Sequence, residues 1–411
     1  MSVKKVFPAT AIKRVDALAS KGALSVGCFV HDGKLIPAIN SCTRLNRLNE
    51  KAKLSWYSGL TKRYLLFTQN KLYYSFGALN SPTTVSFIAK SPSLIEIRNA
   101  TASAIYLFGD TTYFKINTLG NALTFKGGVM DCVMKNGRIF GIDTSKRYTI
   151  RWSGEGGIDD WTEGISGAGW AALSQGYGEI LNLVVYKEKL VAIREYGLAV
   201  LSAYGTPENY KLSYPPYKLP KVYKYTACVV NEKLLFCTDD GIYSYDGNTV
   251  EKAGFELADE IESPTFATCN NGKYFLCGVS KTLKRKAVLV YDAALNAAYI
   301  IDTDANTISV GPNVFAYSDT YETQLKEGGE YSFTSGEIDF STRGLKVLKE
   351  VVIDGDKDVR LEVSNGVISR IVGGVRGKFR PNIRGKSFKI TVCGKGKIDG
   401  ISAVAEVLNE V

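Results

Sequence analysis

TACVVNEKLLFCTDDGIYSYDG, residues 226–247, contains one complete folding unit. An apolar run, TACVV, meets a polar turn. A second run, KLLFC, follows, then another turn and an amphipathic third run, IYSY. Runs this short, rich in Val, Tyr, Phe and Leu and punctuated by Asn, Asp and Gly, read as β-strands joined by tight turns.

The turn-plus-strand core recurs along the chain. It reads QNKLYYS at 69–75, DTTYFKI at 110–116, NGRIFGI at 136–142 and KEKLVAI at 187–193. It returns as NEKLLFC at 231–237, NGKYFLC at 271–277 and PNVFAYS at 312–318. Taken at the third position of each copy, the successive spacings are 41, 26, 51, 44, 40 and 41. A pitch of about 40–50 residues is that of a four-stranded propeller blade. The reading is therefore all-β: a β-propeller of six or seven blades over 61–340. The competing fold is a β-sandwich with chance recurrence of hairpins. The 26-residue gap implies a curtailed or miscounted blade.

Residues 1–60 hold one candidate helix around 9–20, in the stretch TAIKRVDALASK, and are expected to extend or close the propeller. Residues 341–411 read as short strands, LKVLKEVVIDG, DVRLEVSNG, VISRIVGG, SFKITVCG and GISAVAEVLNEV. These form an expected small C-terminal antiparallel β-domain. No Pro-rich or Ser-rich linker precedes it, so firm packing on the propeller is expected.

Composition narrows the function. The chain has 411 residues, 45% of them apolar and 22% charged, with 24 Tyr, 40 Gly and a single histidine, His31. One imidazole argues against triad hydrolases and histidine-rich metal centres. Eight cysteines without a CxxC pair read as reduced, buried thiols of a protein made in a cytoplasm. No apolar run approaches the ~18 residues of a membrane span, and no secretory signal is expected. The net charge of +10 divides as +7 over 1–60, −3 over 61–340 and +6 over 341–411. The basic ends point to an acidic partner or to nucleic acid.

Three stretches could carry chemistry. RYTIRWSGEGGIDDWTEGISGAGW (147–170) sets Glu155, Asp159, Asp160 and Glu163 beside Trp152 and Trp161. A carboxylate pair beside a sugar-stacking tryptophan would make a glycosidase. The plainer reading is an inter-blade or intersubunit loop with Trp161 as its plug. Asp354, Asp356, Asp358 and Asp302, Asp304, Asn306 alternate oxygens as calcium loops do. Both lack the Gly and the terminal Glu such loops need, and read as polar turns. The run 373–397 holds Arg376, Lys378, Arg380, Arg384, Lys386, Lys389, Lys395 and Lys397 without an acid. It suits phosphates or an acidic protein surface, or is a solvated face. No phosphate-binding Gly-rich loop with Lys-Ser/Thr is present. No catalytic residue, metal, cofactor or small-molecule substrate is assigned, and no enzyme activity is expected.

IRWSGEGGIDDWTEG with GEILNLVVYKEKLVAIREYGLAVLSAYG resembles a pattern of bacteriophage tail proteins. GLKVLKEVVIDGDKDVRLEVSNG and FRPNIRGKSFKITVCGKGKIDGISAVAEV are similar to the β-domain that follows the propeller there. The family is the tail-nozzle, or packaged-DNA-stabilisation (tail accessory), proteins of short-tailed phages. The resemblance covers 147–205 and 333–408. It implies a structural protein of the virion tail, assembled in the host bacterial cytoplasm. Such a protein forms a homo-oligomeric ring, expected as a hexamer, below the portal or its adaptor. The ring extends the channel for double-stranded DNA and retains the DNA until ejection. Arg376, Lys378, Arg380, Arg384, Lys386, Lys389, Trp152 and Trp161 are then the expected subunit or partner interface. The alternatives are a carbohydrate-binding or carbohydrate-cleaving propeller and a cytoplasmic interaction scaffold.

Overall fold

The computed structural model describes residues 11–408 apart from 81–82, 87–88, 90, 99–102, 110, 116–122, 125, 158–159, 356–358 and 376. Among these the only helical elements are three 3-10 turns, and the chain is an all-β propeller. Six four-stranded sheets stand separately, and a seventh quartet of the same order forms one end of a nine-stranded sheet. We number these blades 1 to 7 from their first strands. Those strands are Leu54–Ser58, Ser93–Arg98, Val129–Lys135, Ile180–Tyr186, Cys228–Val230, Ile261–Asn270 and Thr307–Val310.

The recurring sequence unit is a hairpin in each case. In blades 3 to 7 it is the first hairpin. In blades 1 and 2 it is the second, leading into Lys71–Ser75 and Thr112–Lys115. The short 26-residue interval is the step from a second hairpin to a first one, and blade 2 keeps four strands, the last being Leu123–Thr124. The 51-residue interval contains the long loop between Thr149–Trp152 and Gly169–Ala172 of blade 3. Two-residue turns such as Asn136-Gly137 (φ 49° and 73°) and Asn271-Gly272 (φ 49° and 72°) supply the left-handed pair that a twisted hairpin requires. The second strand of a blade is buried on both faces. Lys233–Thr238 and Lys189–Arg194 expose only their first residue. Neighbouring blades cover both sides, which is why these strands read as continuous apolar runs rather than alternating ones.

Residues 1–60 divide between two places. Ile39–Arg47 pairs with Tyr321–Glu327 as the outermost strand of blade 7, with Leu325 opposite Cys42. The expected helix at 9–20 is not formed. Its described part holds the strand Ala11–Asp16, antiparallel to Ile398–Val407, and Ala17 and Leu18 are buried beyond it. Helix propensity of Ala, Lys and Leu gives way to a tertiary strand partner.

The strands of 341–411 form no sheet of their own. Lys346–Gly355, Gly377–Phe379, Ile383–Gly385 and Ile398–Val407 join Ala11–Asp16, Cys28–His31 and Lys34–Pro37 in a seven-stranded sheet. Val359–Ser364, Ser369–Val375 and Lys389–Gly394 join Leu24–Val26 and Tyr331–Thr334 in the nine-stranded sheet. Both sheets share one core that includes Cys28, Leu35, Phe333, Leu348, Leu361, Val392 and Ala403. This sandwich is continuous with the propeller. Val26 pairs in parallel with Ile300 of blade 6, and Gly27 N–H donates to Ile300 O at 2.7 Å. Gly27 has φ +68°, and a Cβ there would lie 2.3 Å from Cβ of Asn40. Only glycine fits that junction.

Candidate functional site

The two expected interface tryptophans are spent inside the chain. Trp152 ends the third strand of blade 3, donates Nε1–H to Gly167 O at 3.0 Å and packs on Tyr210 with ring centres 5.2 Å apart. It belongs to the core between blades 3 and 4. Trp161 is 7% exposed, packed among Ile95, Phe108, Val129, Cys132 and Ile139 between blades 2 and 3. Their expected role at a subunit interface is corrected: a buried indole has no free face for a second chain. Trp161 plugs a seam between blades.

Of the acids of the same loop, Glu155 pairs with a buried arginine. Arg138 is 6% exposed and donates to Ser153 O at 3.0 Å and Ser166 O at 2.8 Å. Its other terminal nitrogen meets Glu155 Oε2 at 3.4 Å. The guanidinium thus pins the loop, and Glu155 answers its charge. Asp159 lies outside the described residues. Of the calcium-like stretches, Asp302 chelates Arg285 bidentately. Asp304 meets Lys286 at 3.4 Å, and Asn306 donates to Asp319 at 2.7 Å. Asp356 and Asp358 lie outside the described residues. Among those described, no three His, Cys, Asp or Glu side chains converge as metal ligands. His31 sits at a hairpin turn beside Asp32, 3.4 Å away.

The basic run spreads over the sandwich. Arg376 lies outside the described residues. Lys378 and Arg380 both reach Glu350, at 3.4 and 3.7 Å. Arg384, in Ile383–Gly385, and Lys386 after it are exposed, and neither has a carboxylate within ion-pair distance among the described residues. Lys389 opens the strand Lys389–Gly394 and faces a cleft of about 520 Å³ shared with Glu256 and Asp259 of the blade 5–6 connection.

Several polar residues escape sequence reading. Lys346, fully buried, donates to the carbonyls of Thr342, Gly344 and Lys386 at 2.7–2.8 Å. Burial pulls its ammonium below the usual lysine range. Lys224 bonds Asp131 at 2.7 Å and Ser91 at 2.6 Å, tying the approach to blade 5 to the bulged first strand of blade 3 and the approach to blade 2. Arg194, fully buried at the end of KLVAIR, donates to the carbonyls of Ser174 and Gly178 and lies over the Tyr177 ring. A signal for Lys346 and Arg194 was available: Arg194 closes the apolar run LVAI at 190–193, and Lys346 stands between Leu345 and Val347. Trp170, by contrast, is exposed on the outer strand of blade 3.

No family model matches the chain, and no curated protein matches it. Solved structures do. The extracellular domain of BT4673 from B. thetaiotaomicron matches in two structures, with TM-scores of 0.50 and 0.51 and identities of 9% and 8%. The matches cover 86% and 85% of this chain and 58% and 56% of those chains. The chain thus spans under three-fifths of their length. The WD40 domain of Neurospora crassa Pan2 matches with a TM-score of 0.46 at 9% identity, over 69% of this chain and 95% of that one. At such identities the BT4673 likeness is one of fold, the β-propeller, and extends no further.

Proposed function

We propose that the chain is a non-enzymatic structural protein of a phage tail. In this reading it assembles as a ring, most simply a hexamer, below the portal or its adaptor, around double-stranded DNA. The resemblance of 147–205 and 333–408 to tail-nozzle proteins supplies the context. The observation that carries the proposal is the uneven neutralisation of the basic run. Glu350 answers Lys378 and Arg380, whereas Arg384 and Lys386 stand exposed without a carboxylate partner among the described residues.

A closed ring uses two different patches per subunit. Cations held on a rigid sandwich suit an acidic patch on the next subunit or the adaptor, where guanidinium and carboxylate pair bidentately. A basic channel lining would instead hold DNA. Each neutralised phosphate releases counterions, and log K then changes by about 0.9 per contact per log unit of salt. DNA sliding through a ring is better served by keeping these cations at the interface.

The test changes Arg380, Arg384 and Lys386 together to Gln, followed by native mass measurement alone and on the docking partner. The wild type is expected as a ring in at least one of the two settings, and the variant as the 44.9 kDa monomer. A variant that still docks and closes while the particle leaks DNA would make these residues DNA contacts. A monomer in every setting, with no copy on the virion tail axis, would remove the ring and favour a scaffold.

A further inference from the structure

We propose that the rim of blade 3 carries a saccharide-binding site built on Trp170. The inference does not depend on ring assembly. The strand Gly169–Ala172 alternates: Ala171 packs towards the core between blades 3 and 4, and Trp170 takes the opposite face. Trp170 is 52% exposed, where Trp152 and Trp161 of the same blade are buried. The strand register sets Trp170 directly opposite Arg151. On a rigid strand at the edge of a polar cleft, the half-exposed indole offers a flat apolar face for a ligand to stack on.

The surroundings supply the polar half of a sugar site. A cleft of about 420 Å³ is lined by Trp170 with Asp143, Lys146, Tyr148 and Arg151. Asp143 is aimed by its own turn. Its Oδ1 accepts from Ser145 N–H at 2.8 Å, Ser145 Oγ–H at 2.6 Å and Lys146 N–H at 2.9 Å. Its Oδ2 meets Arg151 Nε only at 3.9 Å, too long for a hydrogen bond, and remains a fixed acceptor for hydroxyl groups. Burial pushes this carboxyl up, but the Ser145 and Lys146 hydrogen bonds and the Arg151 charge outweigh it, and the group stays ionised. Arg151 is a wall rather than a reaching group: Nη1 is bound to Gly127 O at 2.7 Å, and the guanidinium lies over Trp161. Lys146 is exposed without a carboxylate partner among the described residues.

A flat aromatic face takes the C–H face of a pyranose. A fixed carboxylate oxygen accepts from its vicinal hydroxyls, and an ammonium selects a carboxylate or phosphate on the sugar. Saccharides are favoured over a nucleic-acid strand. A base would also stack on Trp170, but the backbone needs a track of free cations, and here Asp143 stands between Lys146 and an Arg151 already held by Gly127 O.

The purified full chain is applied to an array of lipopolysaccharide and capsule oligosaccharides, with single-stranded oligothymidylate as a parallel probe. The wild type is expected to bind acidic glycans. Trp170→Ala should weaken binding about tenfold or more, as truncation of an aromatic anchor does. Trp170→Phe should lose less, Lys146→Gln should reduce the preference for acidic over neutral glycans, and all three should keep the wild-type melting temperature. An array with no bound glycan, a Trp170→Ala protein that binds as the wild type does, or oligothymidylate bound through Trp170 in place of glycan would each overturn the proposal.

Discussion

Asn46 donates its side-chain amide to Glu322 at 2.5 Å. The pair joins a strand from the start of the chain to one near residue 320, inside blade 7. Glu322 is fully buried and also accepts the backbone N–H of Leu79, from blade 1, at 2.9 Å. One carboxylate therefore gathers the two strands that close the propeller and the blade that follows the closure.

Removing that side chain should loosen the ring of blades. Glu322→Ala leaves the buried Leu79 N–H and the half-buried Asn46 amide without their acceptor and should cost about 1–4 kcal/mol, at about 1–3 for the buried donor and less for the one that can turn to water. Glu322→Gln keeps an acceptor oxygen and should cost clearly less. Denaturant unfolding of both variants checks the order.

The same residue gives a pH signature. Burial raises the Glu322 pKa above the ordinary glutamate value, outweighing the hydrogen bonds from Asn46 and Leu79. The folded state then holds a proton that the unfolded state has released. This contribution favours folding as pH falls through the raised value and fades as pH rises above it. Glu322→Gln should flatten that part of the stability–pH curve, as measured by unfolding across mildly acid pH.

Little of this latch was legible in the sequence, although the blades were. Hairpin motifs such as NGKYFLC carry their own turn chemistry, so they announce themselves locally. The pairing of Ile39–Arg47 with Tyr321–Glu327 depends on which distant edge is vacant, and no local pattern encodes that. Ala11–Asp16 was misread for the same reason: Ala, Lys and Leu favour a helix until a partner strand lies alongside. Trp161 and Trp170 are nine residues apart with opposite fates. One fills the seam between blades 2 and 3 from a loop, and the other faces water because its neighbour Ala171 takes the inward face of Gly169–Ala172.

Trp161→Ala should be severe. It empties the seam between blades 2 and 3 and should cost about 3–5 kcal/mol. Glu155→Gln, at an exposed carboxylate, should change stability by less than about 1 kcal/mol. Thermal unfolding of the two proteins side by side gives the contrast.

Arg194 presents a buried cation whose hydrogen-bond partners are carbonyls. Burial pulls its guanidinium below the usual arginine range. Arg194→Ala should cost about 3 kcal/mol or more, through unsatisfied carbonyls of Ser174 and Gly178 and an unfilled volume. Arg194→Lys should recover part of that. Equilibrium unfolding with the two variants tests it.

Gly27→Val should disrupt the passage from blade 6 into the sandwich. The new side chain would strike Asn40 and occupy a left-handed backbone position that β-branched residues avoid. Accelerated proteolysis at the junction, relative to the wild type, is the expected readout.

The closing strand also sets a timetable. Ile39–Arg47 leaves the ribosome some 280 residues before its partner Tyr321–Glu327 is made. At about 5–20 residues per second the early strand waits roughly 15–60 s for its place. Throughout that wait it offers unpaired backbone groups to any other nascent chain. Expression in cells should therefore be limited by how well this one segment is shielded during translation, and slowing elongation should lower the yield of closed propellers more than it lowers total chain.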